Sequence, residues 1–133
     1  MTGLFTCFGA GTYAAALAKA CHKLWQENPD NIRVICLASV AAKIEEVIEH
    51  FKPTYGRYQH LVVLDGCERK CASEVIRQSV LKYEKIVVIT KTLGKEKKAG
   101  FPTASEEEEV YNAVKRELSE YLPKLEPSCP CSS

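Results

Sequence analysis

The sequence predicts a single α/β domain in which a four-stranded parallel sheet is covered by helices on both faces. Four short apolar runs, rich in Val and Ile, alternate with longer segments whose apolar residues recur at a helical period. The chain has 133 residues, which suits one well-buried domain and is too short for two ordinary ones. Such alternation is typical of a parallel sheet between two helical layers.

The first half of the chain predicts two strand–helix pairs. Residues 3–8 form a brief apolar strand that ends in a glycine turn, and Thr12 is a candidate cap for a helix running to Trp25. Residues 32–37 are rich in β-branched side chains and predict the second strand. An i, i+3, i+4, i+7 stripe then predicts an amphipathic helix, with apolar residues at Ile44, Val47, Ile48 and Phe51.

The second half predicts two more strands. Residues 60–64 form the third strand, residues 69 to about 80 the third helix, and residues 85–90 the fourth strand. With right-handed crossovers in so short a chain, the strand order 2-1-3-4 is expected. The sequence therefore predicts a doubly wound, three-layer fold of the Rossmann or flavodoxin-like kind.

The C-terminal part of the chain changes in composition. Residues 91–102 are charged and contain two glycines, which predicts a loop with solvated lysines; an anionic ligand held over the site is the alternative. Ser105 and Glu108 have the spacing of a capping box at the start of the last helix. We expect the domain to span residues 1–125, followed by a flexible, cysteine-containing tail over residues 126–133.

Composition limits the classes of partner. Lys and Arg number 18 and Asp and Glu 17, for a net charge of +1, so neither nucleic acid nor an acidic membrane surface is an expected partner. No apolar run approaches the roughly 20 residues of a membrane span. An odd count of seven cysteines within a βα pattern favours reduced thiols. We expect a soluble cytoplasmic protein, and a protein partner stays open.

Three cysteines follow the ends of three predicted strands. Cys7 ends the first strand, Cys36 the second, and Cys67 comes just after the third. The carboxyl ends of parallel strands meet at one edge of a sheet, where ligands bind in open α/β folds. In the order 2-1-3-4, strands one and three are neighbours at about 4.8 Å, so we expect Cys7 and Cys67 to lie close together.

Asp65 and Gly66 end the third strand, and two cysteines follow at once. We expect a helix to begin at or near Cys67, with Cys71 one turn later on the same face. The free N–H groups at a helix N-terminus favour the thiolate, the form that binds soft metals or attacks sulfur. Asp65 either orients a thiol or a bound water or shapes the turn, and we favour the turn.

Several thiols at one edge suit zinc, with Zn–S distances of about 2.3 Å, or an iron–sulfur cluster. Neither ferredoxin spacing is present, so we predict zinc held by Cys7, Cys67 and Cys71, with Cys36 as the fourth candidate. Two alternatives stay open: a redox or sulfur-transfer protein with Cys67 as an activated thiolate, and a non-catalytic interaction module with a degenerate metal site. Cys21 lies on an apolar helix face and is interpreted as core.

Other motifs are weaker. The Gly9-Ala10-Gly11 turn lacks the third glycine of a dinucleotide-binding loop, and no acidic residue ends the second strand where one is expected. Neither a phosphate-binding P-loop nor a nucleophile elbow occurs in the sequence. We therefore predict no nucleotide cofactor.

The segment Asp65-Gly66-Cys67, with Cys71 four residues later behind an apolar strand, resembles the hallmark of the DGC-domain family. That family is named for the tripeptide and is described as zinc-binding. The resemblance covers most of residues 3–95. It implies the α/β fold and a bound zinc ion, but it implies no reaction. Family members commonly carry a C-x-x-C pair after the first strand, whereas this chain has Cys7 followed by Ala10 in the second place.

The resemblance implies that one thiol of the family's ligand set is missing. If it is a zinc ligand, its substitute is Cys36, Asp65, water, or the tail cysteines Cys129 and Cys131. Otherwise this chain binds metal weakly or not at all.

Overall fold

The structure is a computed structural model that describes residues 1–9, 11–52 and 56–123. Four parallel strands form one sheet in the order β2-β1-β3-β4, which confirms the predicted topology. The strands are β1 (Thr2–Thr6), β2 (Ile32–Ile35), β3 (His60–Asp65) and β4 (Lys85–Val88).

The helices differ in length on the two faces of the sheet. Two long helices, α1 (Thr12–Glu27) and α6 (Ala104–Glu117), pack against each other and, with the short α5 (Ile89–Leu93), cover one face. Three helices of five to seven residues cover the other face: α2 (Leu37–Ala41), α3 (Glu45–His50) and α4 (Cys71–Arg77). A 3₁₀ turn, Ser119–Tyr121, follows α6.

Alternate strand residues supply two hydrophobic clusters, one on each face. In β1, Leu4 belongs to the cluster beneath α1 and α6, and Phe5 to the cluster beneath α2 to α4. Both side chains have no exposed surface. The two-faced burial of β1 follows from its central place in a parallel sheet covered on both sides. The fold is thus the three-layer arrangement that the sequence predicts.

Two helix caps differ from the sequence prediction. Thr12 is the first residue of α1 rather than its cap, and its hydroxyl donates a hydrogen bond to the Gly100 carbonyl at 2.8 Å. The capping box of α6 is formed by Thr103 and Glu106, not by Ser105 and Glu108. The Thr103 hydroxyl accepts from the Glu106 N–H at 3.1 Å, and the Glu106 carboxylate accepts from the Thr103 N–H at 3.0 Å. Thr103 with Glu106 and Ser105 with Glu108 both have the S/T-x-x-E spacing. The residue at which the helix begins decides which pair forms the box.

Helix boundaries also differ from those expected. Strand β4 ends at Val88, and residues 89–93 form α5 where the sequence predicted strand and loop. Helix α4 covers Cys71–Arg77 rather than 69 to about 80, and α2 was not predicted. These are single turns or little more, too short for a periodic signal. The expected tail at residues 126–133 lies outside the part of the chain that the structure describes.

No helix in the described part of the chain combines the length and apolar character needed to cross a bilayer.

Candidate thiol site at the carboxyl edge of the sheet

Three of the four predicted ligand cysteines line a single cavity. The cavity has a volume of about 380 Å³ and lies where β1 and β3 end. Cys7, Cys67 and Cys71 all contribute to its wall, although Cys67 and Cys71 follow Cys7 by 60 and 64 positions in the sequence. Parallel pairing of β1 with β3, in which Thr6 is opposite Leu64, explains this convergence.

Cys7 is the most buried thiol of the cavity. It follows β1 directly, and its backbone N–H donates to the Leu64 carbonyl at 3.0 Å. Burial raises the pKa of the Cys7 thiol, the Gly66 backbone amide opposes that shift, and the negative charge of Asp65 and of the neighbouring Cys71 and Cys67 raises the pKa further. The neutral thiol is therefore the favoured form of Cys7.

Asp65 fixes the start of α4. Its side chain has no exposed surface, and its carboxylate accepts hydrogen bonds from the backbone N–H groups of Ala72 at 2.7 Å and Ser73 at 3.1 Å. The Ser73 hydroxyl also donates to Asp65, at 2.5 Å. Lys70, the residue before the helix, makes no side-chain cap. Asp65, at the end of β3, thus caps α4 in place of a residue next to the helix. It also shapes the turn, which is the role that the sequence analysis favoured for it.

Gly66 allows the turn after β3 to touch the start of α1. A Cβ atom at this position would lie 2.8 Å from Ala14 Cα and 2.9 Å from both Ala14 N and Ala14 Cβ. Two of these three atoms belong to the backbone of a helix, which cannot rotate away. The glycine of the tripeptide is therefore required by packing, and its neighbour Cys67 reaches the cavity because this approach is so close.

Cys67 and Cys71 are placed differently from the sequence expectation. Helix α4 begins at Cys71, so Cys67 lies in the preceding turn, four residues before the helix rather than at its N-terminus. Because Asp65 binds the N–H groups of residues 72 and 73, the helix starts at residue 71. Lys70 adopts a left-handed conformation, with φ of 53°, to join the turn to the helix. Cys67 is partly exposed and Cys71 is exposed.

The other described cysteines lie apart from this cavity. Cys36 precedes α2, is exposed and does not line the cavity. Hydrogen bonds from the side chain and the backbone N–H of Ser39 lower the pKa of the Cys36 thiol. Its role as a fourth ligand stays a prediction. Cys21 has no exposed surface, and burial raises its pKa to about 12 against the opposing effect of Thr6. Cys21 is core, as predicted, while Cys129 and Cys131 lie outside the described residues.

The donor set of the cavity fits zinc in its chemistry. Three thiols, once deprotonated, are ligands that zinc prefers, and two of them have solvent access. Within residues 1–9, 11–52 and 56–123, however, no three His, Cys, Asp or Glu side chains are grouped as for one metal ion. Metal binding would therefore require the cysteine side chains to turn toward a common point. Asp65 is poorly suited as a ligand because its carboxylate already accepts three hydrogen bonds.

Part of the wall comes from the segment predicted to be a loop with solvated lysines, for which holding an anionic ligand over the site was the alternative. Residues 97–99 line the cavity and are held against the start of α1 by the Thr12 N–H, which donates to the Lys98 carbonyl at 3.0 Å, and by a bridge between Gly11 and Ala99. Arg69 and Thr90 also line the cavity. Thr90 is the last residue of the predicted fourth strand, and this was the available signal for its place at this edge.

Comparison with known proteins places the chain in a family. A family model described as the DGC domain matches residues 3–116, which is most of the chain. No curated protein matches the chain, and neither does any solved structure. The chain therefore belongs to the DGC-domain family.

Proposed function

We propose that this member of the DGC-domain family is a small metal-binding protein that holds zinc through Cys7, Cys67 and Cys71. The observation that supports the proposal is the shared cavity, whose wall contains three thiols brought together from the end of β1 and the turn after β3. Thiol side chains of this kind remain reduced in the cytoplasm, which is where we place the protein.

The negative groups near Cys7 favour a cation bound to its sulfur. Asp65, Cys71 and Cys67 all disfavour the ionised form of Cys7. Bound zinc would supply the positive charge that several thiolates in one cavity require. The three cysteines would bind the ion and release their protons, and the fourth ligand would be water, Cys36 or a cysteine of the tail.

The redox alternative has less support from the structure than from the sequence. Its physical reason was a helix N-terminus at Cys67 that would stabilise the thiolate, and α4 begins four residues later. The interaction-module alternative predicts neither bound metal nor a reactive thiol. A measurement of metal content separates it from our proposal.

The test is elemental analysis of the full-length protein, purified under reducing conditions without added metal. We expect close to one equivalent of zinc, lost in the Cys67→Ser, Cys71→Ser double variant. Cys21→Ala removes one core thiol and is the matched control that should keep the metal, whereas Cys36→Ser reports on the fourth ligand. A wild-type protein without zinc that also fails to bind added zinc, or a double variant that retains it, would overturn the proposal.

A further inference from the structure

Thr90 carries a buried hydroxyl that has no hydrogen-bond partner among the described residues. The residue is 4% exposed, and its Oγ1 forms no hydrogen bond with any part of the chain that the structure describes. Buried hydroxyls are usually paired, because leaving one unpaired forfeits the free energy of its hydrogen bond to water. Thr90 lines the thiol cavity and also a second recess of about 380 Å³ beside it. Thr90 therefore borders both openings, and a ligand in the cavity would lie beside the residue that carries this hydroxyl.

Cationic side chains line the same cavity and recess. Arg69 and Lys97 line both the cavity and the recess, and neither forms an ion pair with another described residue. Lys98 also lines the cavity, but it pairs with Glu106 at 2.5 Å. No carboxylate is among the described residues of the cavity wall. Unpaired positive charge around an unpaired hydroxyl is the chemistry of an anion site.

The adjoining recess weakens this charge but does not cancel it. Lys95 adds a cation there, while Glu68 and Glu96 contribute two carboxylates. Arg69, Lys95 and Lys97 therefore face two acidic side chains in the recess, whereas the cavity itself has an excess of positive charge. An anion is expected in the cavity, beside the thiols, rather than in the recess.

We propose that the cavity binds a small ligand with an oxyanion group, for which the Thr90 hydroxyl is a hydrogen-bond donor and Arg69 and Lys97 are the cationic partners. A guanidinium matches a carboxylate or phosphate in two parallel hydrogen bonds. A volume of about 380 Å³ holds such a group with a small remainder. The inference deepens the proposed function by naming a ligand class for the same cavity, but it does not require the metal.

The experiment titrates inorganic phosphate, sulfate and acetate into the full-length protein at constant ionic strength and follows the amide NMR signals. The expected result is a saturable shift at Thr90 and Arg69, and the anion that binds most tightly tells a phosphate or sulfate group from a carboxylate. Arg69→Gln should weaken binding about tenfold or more. Arg57→Gln, in the connection that precedes β3 at the opposite edge, is the matched control and should leave binding unchanged.

Thr90→Val separates a ligand contact from a purely structural role. Because valine has the same shape and no unpaired hydroxyl, the free variant should melt at the same temperature or higher, while anion binding weakens about fivefold or more. A structural hydroxyl would instead give a lower melting temperature with binding unchanged. That result, or no saturable shift in the wild-type protein, would overturn the proposal.

The metal and the anion are tested separately. The titration is repeated on protein freed of metal by a chelator and on the Cys67→Ser, Cys71→Ser variant, and both should still bind the anion. Binding that disappears in these samples would assign the anion to the ion itself and overturn the role of Thr90 and Arg69. Anion binding by a wild-type protein that holds no zinc as purified and takes up none when zinc is added would contradict the proposed function and leave this inference standing.

Discussion

The two halves of the segment from Asp65 to Cys71 differ in burial and in what they contact. Asp65 and Gly66 are buried, and both make contacts with protein backbone, one at the start of α4 and the other at Ala14 in α1. Cys67 is partly exposed and Cys71 is exposed, and both line a cavity. One short motif thus combines residues that hold the turn in place with residues that present sulfur to a ligand.

This difference indicates that the two halves should fail in different ways. Substitutions in the buried half are expected to destabilise the whole domain, because they disturb contacts between elements. Substitutions in the exposed half are expected to remove ligand binding and leave the fold intact. Three predictions test that division, and a fourth compares two thiols outside the segment.

The largest effect is expected for Gly66→Ala. The new methyl group would lie within 2.9 Å of backbone atoms of Ala14, so α1 or the turn must move. We expect a loss of about 3 kcal/mol or more in the free energy of unfolding. Urea denaturation followed by circular dichroism measures it. Gly56→Ala is the comparison: a Cβ there would have open space, but the φ of 67° is a conformation that costs alanine free energy. Equal losses in the two variants would contradict the packing role of Gly66.

Asp65→Ala should rank second. It removes three hydrogen bonds to Ala72 and Ser73, including the cap of α4. We expect a loss of about 2 to 3 kcal/mol in unfolding free energy. Because the Asp65 charge raises the pKa of Cys7, the variant should also lower that pKa, which a pH titration of alkylation at Cys7 measures. An unchanged stability would show that α4 does not depend on this cap.

Cys67→Ser with Cys71→Ser should change stability by less than about 1 kcal/mol, since both side chains are partly or fully exposed. The same denaturation experiment, performed on metal-free protein, provides the measurement. A large loss of stability in the absence of metal would mean that these cysteines belong to the structural half of the segment.

The smallest expected effect is a difference in alkylation rate between the thiols of Cys36 and Cys7. Cys36 has a lowered pKa and an exposed side chain, whereas the pKa of Cys7 is raised and its side chain is 8% exposed. At neutral pH, alkylation should therefore modify Cys36 before Cys7 in metal-free protein. The ratio of the Cys36 rate to the Cys7 rate should fall as the pH rises, because Cys7 becomes a thiolate at a higher pH than Cys36 does. Peptide mass spectrometry measures both rates, and faster labelling of Cys7 would contradict the assignment.

The site could be predicted from the sequence only as far as strand ends define it. Cys7 and Cys67 were expected to meet because the order 2-1-3-4 makes β1 and β3 neighbours, and both now line one cavity. The helix start at Cys71 was missed, since Asp65 replaces a local cap from seven residues away. Thr90 was interpreted as part of a strand, because a five-residue helix leaves too short a pattern to detect.

Sequence alone determined the sheet, its order and the edge at which the sulfurs gather. Apolar periodicity and right-handed crossovers are local rules that hold whatever the neighbouring elements do. Only the tertiary structure decided which thiols share a cavity and why Gly66 must be glycine. It also placed Thr90, whose hydroxyl has no partner among the described residues, at the same cavity as Arg69 and Lys97. Those features depend on close approach between α1, the turn after β3 and residues 97–99, and such distances are set by packing across the whole domain.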